Sequence, residues 1–131
     1  IVLLTIPNAI DTIKIFTHFP PGSYISDDET RALGQLKEME NGTILALPIT
    51  PKKDSTTPPT PLYDRYETSY VSAYTGMPTY LNDLVQLRLT AINYEDRHAK
   101  INSFECSVLE EVKYVYAPTP ELVQGWKNCE T

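Results

Sequence analysis

The apolar positions along the chain alternate between helical spacing and short continuous runs. Ile10, Ile13 and Phe16, with Ile15 nearby, fall within Ile10–Phe19 at helical spacing, which predicts about two turns of helix, stopped by Pro20-Pro21-Gly22. Ser23-Tyr24-Ile25 reads as a short extended lead-in. Ser26-Asp27-Asp28-Glu29 carries the pattern of a capping box, in which Ser26 accepts from the Glu29 amide and the Glu29 carboxylate reaches back. Asp27 and Asp28 would sit in the first turn, where the helix dipole favours negative charge. Ala32, Leu33, Leu36 and Met39 then share one face, so a helix is predicted over 27–40, closed by Asn41-Gly42 in the left-handed conformation.

The run Thr43–Leu47 is continuously apolar, the pattern of a strand buried on both faces, and Pro48 ends it. Residues 49–61 hold Pro51, Pro58, Pro59 and Pro61 among Lys, Ser, Thr and Asp, which predicts a long loop after the C-terminal end of that strand. In open α/β sheets that edge is where ligands bind. Five of the nine tyrosines follow, at 63, 66, 70, 74 and 80. The first four are three, four and four residues apart, which would line one face of a helix closed by Gly76. Met77–Leu81 reads as a second strand, followed by a turn at Asn82-Asp83. Leu84–Leu89 is apolar at 84, 85, 87 and 89 and fits neither period cleanly. Asn93 can cap a helix over 94–106, with Glu95 and Asp96 in its first turn and Tyr94, His98, Ile101 and Phe104 along it. Val112–Ala117 reads as a third strand, and Thr119-Pro120-Glu121 as the start of a short last helix packed by Leu122, Val123 and Trp126.

Helix, tight turn and buried strand in this order predict an α/β fold. The expectation is a small three-layer sandwich, with a mostly parallel sheet of three or four strands and helices on both faces. The 131 residues fit a single domain spanning 1–131 with a Pro-rich loop at 49–61. Lys and Arg number 11 against 17 Asp and Glu, a net charge of -6. An acidic chain is a poor partner for nucleic acid or for an anionic membrane surface, both of which need a basic face. No apolar run reaches the roughly 18 residues that span a bilayer. The chain opens on Ile1 without Met, which fits a piece of something longer; its apolar start reads either as a buried element or as the end of a membrane helix.

Familiar catalytic patterns are missing. There is no nucleophile elbow, no P-loop and no glycine-rich dinucleotide fingerprint. The acidic triplet at 27–29 is read as helix capping rather than as metal ligands. His18 and His98 are far apart in sequence. A Cys106–His98 dyad is conceivable, but no electropositive setting for the thiol is visible. No catalytic residue, metal or cofactor is expected. Cys106 and Cys129 can pair in an oxidising compartment or remain buried thiols in a reducing one. The expected contact residues are Tyr63, Asp64, Tyr66, Tyr70 and Tyr74, beside the Pro-rich loop.

Several short patterns together resemble a known family. They are Ser26 with Glu29, Thr43–Pro48, Tyr70 to Gly76, Pro78–Leu81, Arg97, and Tyr114 to Tyr116. In this order the chain resembles, over about 7–127, the C-terminal soluble domain of bacterial multi-pass membrane glycosyltransferases of the GT-C type, akin to protein mannosyltransferases. The resemblance implies an extracytoplasmic, non-catalytic domain joined to a membrane-embedded part of the same polypeptide and contacting a glycan, a polypeptide acceptor or a partner protein. The family's catalytic acid lies in a loop between membrane helices, and no position here matches it. A free-standing extracytoplasmic binding module is the alternative.

Overall fold

The structure, a computed structural model, describes residues 22–49, 59–65, 69–81 and 83–129. The helix expected at 10–19, most of the Pro-rich loop and Tyr66 lie outside the described residues. The elements run β1 (Ser23–Tyr24), α1 (Asp27–Lys37), β2 (Ile44–Ala46), β3 (Thr60–Pro61), α2 (Leu62–Arg65), α3 (Ser69–Thr75), α4 (Leu84–Leu89), α5 (Glu95–Asn102), α6 (Ser107–Glu111), β4 (Tyr114–Tyr116) and a terminal 3-10 helix (Pro120–Trp126).

The α/β character holds, but the sheet is smaller than expected. Two parallel pairs replace a sheet of three or four strands: β1 with β3, and β2 with β4. The segment expected as a strand at 77–81 is reduced to one bridge between Thr79 and Ile44. Ile44 N–H donates to the Pro78 carbonyl at 2.9 Å, and Tyr80 N–H to the Ile44 carbonyl at 2.8 Å. Pro78 has no N–H to lengthen that ladder. Conversely, the end of the Pro-rich stretch, read as irregular, supplies β3.

β2 is buried on both faces, as its apolar run predicts. Leu45 and Leu47 join a core with Ile101, Val108 and Trp126, from α5, α6 and the 3-10 helix. Ile44 and Ala46 join a second core with Leu33 of α1, Val71 of α3, Met77 and Tyr116. Helices thus cover both sides of the β2–β4 pair.

The capping box at Ser26 and Glu29 forms, and α1 starts where the sequence predicts. It ends earlier, with Glu38 as C-cap, so Met39 is half exposed and does not pack. Gly42 is not left-handed; among the described residues the left-handed glycine is Gly76, at φ 74°. Gly42 instead passes close to Lys113, where a Cβ would come within 2.6 Å of the side chain. The tyrosine segment forms two short helices, α2 and α3, on either side of 66–68 and not one described stripe. The ambiguous 84–89 segment is a helix, capped by the Asp83 carboxylate, which accepts from Val85 and Gln86 amides at 2.8 and 3.1 Å. The helix expected over 94–106 divides at Phe104 into α5 and α6.

Candidate functional site

Two constellations stand out. The first lies where the start of α1 meets α3 and β4. The Glu29 side chain is 7% exposed. Its Oε1 accepts from the Tyr116 hydroxyl at 3.0 Å and from the Tyr70 hydroxyl at 3.1 Å. Its Oε2 accepts from the Ser26 amide and hydroxyl, both at 3.4 Å. A buried carboxylate is costly unless its lone pairs are occupied, and here donors from three elements occupy them. The two tyrosine rings meet edge to face, with centroids 6.4 Å apart. Burial, reinforced by its neighbours Tyr116 and Glu29, pushes the Tyr70 hydroxyl well above its ordinary pKa, and burial with the adjacent Glu29 does the same for Tyr116. Both phenols stay protonated and act as donors at neutral pH. A recess of about 320 Å³ opens beside this cluster, lined by Ser26, Asp28, Glu29 and Ala32 from one part of the sequence and by Tyr116, Ala117 and Pro118 from the other.

The second lies at the C-terminal end of β2, where the sequence places a ligand edge. A groove of about 260 Å³ runs between the Leu47-Pro48-Ile49 turn and the 3-10 helix. Phe104 and Trp126 form an aromatic wall, edge to face with centroids 5.6 Å apart. Asn102 and Glu121 add polar groups to a lining that is otherwise mostly apolar. Gly125 makes this wall possible: a Cβ there would come within 2.3 Å of the Phe104 ring. The Trp126 indole nitrogen is buried, with no hydrogen-bond partner among the described residues. Cys106 and Cys129 are joined, with S–S 2.05 Å and Cα atoms 5.3 Å apart. The bridge ties the segment just after Phe104 to the segment just after Trp126. It also uses the thiol that a Cys106–His98 dyad would need. His98 instead faces Asn102, with ring nitrogen and amide 3.2 Å apart.

The expected contact residues fall into different settings. Tyr70 is committed to Glu29. Tyr74, one turn on, is 40% exposed. Tyr63 is half-buried in α2, Asp64 belongs to the same helix, and Tyr66 lies outside the described residues. The described tyrosines therefore do not form one surface. Sequence reasoning missed the groove, whose signal was limited to the lone Trp126 preceded by Gly125. It also missed the role of Glu29 beyond capping. Among the described residues, no three His, Cys, Asp or Glu side chains are grouped to hold a metal ion. No helix among them is long and apolar enough to cross a membrane.

Set against known proteins, the chain matches no protein-family model, no curated protein and no solved structure.

Proposed function

We propose that the chain is an extracytoplasmic accessory domain of a membrane-embedded, glycosyltransferase-like protein. It binds a glycan, polypeptide acceptor or partner protein and leaves transfer chemistry to the rest of the polypeptide. The observation that carries this reading is the aromatic groove at the C-terminal end of β2, its Phe104–Trp126 wall held together by the Cys106–Cys129 bridge. A groove with a few polar groups in an apolar lining suits recognition. A structural disulfide suits an oxidising compartment. The likeness to GT-C proteins, carried by the sequence patterns above, supplies the parent. Tyr63, Tyr66 and Tyr74 remain proposed secondary contacts, and Tyr70 supports the fold.

The first test is the hydropathy of the native coding sequence upstream of Ile1. Several apolar spans of about 20 residues are expected. A cleavable signal directly before Ile1 would end the transferase reading and leave a free-standing binding module. The second test is Phe104→Ala in the full-length protein. It should lower transfer or partner binding while the protein stays folded; unchanged activity and binding would remove the groove from the proposal.

A further inference from the structure

The link from α1 to β2 is short and fixed at both ends. The Glu40 carbonyl accepts from the Tyr114 hydroxyl at 2.8 Å, and the Glu40 carboxylate pairs with Lys113 at 2.6 Å. The Thr43 carbonyl accepts from the Lys113 and Tyr114 amides at 2.9 and 3.2 Å. Asn41 and Gly42 lie between these anchors. Asn41 is exposed, and neither its side chain nor the Gly42 amide has a hydrogen-bond partner among the described residues. The Gly42 nitrogen therefore has no hydrogen bond to give up before it reacts. Lys113 keeps this position bare, because a Cβ at Gly42 would come within 2.6 Å of its side chain. The hindrance that a side chain would offer to an approaching Asn41 carbonyl is thus absent.

Asn41-Gly42 is the only Asn-Gly pair in a sequence with six asparagines. The other described asparagines are held differently. Asn102 Nδ2 lies 3.2 Å from the His98 ring nitrogen, and the Ser103 amide after it donates to the Ala99 carbonyl at 3.0 Å. The Cys129 amide after Asn128 donates to the Trp126 carbonyl at 3.0 Å. Asn93 Oδ1 accepts from the Glu95 amide at 3.2 Å, and the bulky Tyr94 follows it.

We propose that Asn41 is a modification site, which deamidates spontaneously in the folded protein through a succinimide formed with Gly42. The Gly42 nitrogen loses its proton to solvent and attacks Cγ of Asn41, a group that the chain itself holds close by. The N–Cγ bond forms and the Cγ–Nδ2 bond breaks. Nδ2 leaves as ammonia, taking a proton from solvent. One water then opens the five-membered ring, and no electrons are transferred. Opening at Cγ gives aspartate. Opening at the main-chain carbonyl gives isoaspartate, whose main chain runs through Cβ and Cγ and is one carbon longer. Both products place a further negative charge beside Glu40. Only isoaspartate lengthens the link between the Glu40 and Thr43 anchors, directly ahead of Ile44, Leu45 and Ala46, which are 0% exposed. It therefore loosens the entry to β2. None of this depends on the groove or on a membrane-embedded parent.

The test is peptide mapping by mass spectrometry of the 131-residue chain, kept folded at mildly alkaline pH and warmed below its unfolding transition. Asn41 should convert before every other asparagine, to a mixture of aspartate and isoaspartate. Isoaspartate is scored by methylation with an isoaspartyl methyltransferase and S-adenosylmethionine. The rate should lie within a few-fold of that in the urea-unfolded chain. Earlier conversion at another asparagine overturns the proposal. So does a folded chain that keeps Asn41 while the unfolded chain loses it. Aspartate alone overturns it too, since direct hydrolysis of the side-chain amide needs no Gly42. Gly42→Ala should slow conversion several-fold. Because the added Cβ collides with Lys113, Gly42→Ala combined with Lys113→Ala gives the same readout without the collision. Conversion of that double variant at the wild-type rate removes Gly42 from the reaction. Isoaspartyl protein, separated by ion exchange, should unfold at a lower urea concentration than the Asn41→Asp variant, which has the same charge without the extra carbon. Equal midpoints would overturn the loosening of β2.

Discussion

The Tyr116 hydroxyl donates to Glu29 Oε1 at 3.0 Å, joining the first described helix to the last strand across 87 residues of chain. The same carboxylate closes the capping box of α1 and accepts from Tyr70 on α3. One side chain therefore fixes the start of a helix and the packing of two further elements.

Glu29→Ala is expected to cost more than a missing helix cap. Cap loss alone costs about 1 kcal/mol, and leaving the buried Tyr116 and half-buried Tyr70 hydroxyls without an acceptor adds about 1–3 kcal/mol. Tyr116→Phe keeps the ring packing and removes one donor, at about 1 kcal/mol. Urea unfolding of the variants measures both. Equal losses for Glu29→Ala and Tyr116→Phe would mean that Glu29 does no more than accept one bond.

The raised phenol pKa values of Tyr70 and Tyr116 predict loss of stability in alkali. For each, the folded pKa lies above the unfolded value of about 10. The unfolded chain releases these protons first. Stability is therefore fully present below about pH 10 and falls as pH rises further, by about 1.4 kcal/mol per pH unit for each tyrosine. Tyr116→Phe should flatten the slope of stability against pH in this range. A wild-type slope no steeper than that of Tyr116→Phe would show that the Tyr116 phenol titrates normally in the folded protein.

Local chemistry made part of this structure legible. The Ser26–Glu29 box and the glycine stop at Gly76 rest on interactions within a few residues, and the doubly buried run at 44–47, although its partners lie far along the chain, shows in its unbroken apolar pattern. Two helix ends were not legible, because the left-handed residue in each is not glycine. α4 closes with Ala91 at φ 54°, the Ile92 amide donating to the Leu87 carbonyl at 3.0 Å. α5 closes with Phe104 at φ 54°, the Glu105 amide donating to the Lys100 carbonyl at 3.0 Å. Both follow the Schellman pattern, but Ala and Phe give no sign of it. The candidate site was less legible still. The tyrosine spacing was visible, yet only tertiary packing turned Tyr70 toward Glu29. The Phe104–Trp126 wall joins residues brought together by Gly125 and by the Cys106–Cys129 bridge.

Ala91→Gly should stabilise the protein. A non-glycine residue in the left-handed region costs about 1 kcal/mol, and the gain is reduced by the greater backbone freedom glycine has when unfolded. A net increase of about 0.5 kcal/mol in unfolding free energy is expected. Phe104→Gly relieves the same conformation but removes a ring packed on Trp126, so it should destabilise. Denaturant midpoints for the pair separate the effects. Destabilisation by Ala91→Gly would show that the Ala91 methyl contributes packing that outweighs its backbone strain.

Replacing both bridge cysteines, as Cys106→Ser with Cys129→Ser, removes a cross-link spanning 23 residues. The loop-entropy relation assigns such a link about 3 kcal/mol. The loss should appear as a lower denaturant midpoint together with a red shift of Trp126 emission, since the bridge lies next to the wall that shelters the indole. A lower midpoint with unchanged emission would mean that the groove keeps its shape without the bridge.

Gly125→Ala tests the aromatic wall of the groove from the 3-10 helix. The added methyl would sit within 2.3 Å of the Phe104 ring, closer than any real contact, so the ring must move. Phe104 is 45% exposed and has space to swing outward. The change should therefore cost about 1–3 kcal/mol, the usual range for overpacking, without unfolding the domain. The displaced ring breaks its edge-to-face contact with Trp126, and indole emission should shift to longer wavelength as water approaches. If the groove is the contact surface, Gly125→Ala and Phe104→Ala should weaken the same binding or transfer readout, although one adds atoms and the other removes them. A Gly125→Ala protein with unchanged emission and full binding would mean that the ring position matters neither to the core nor to the partner.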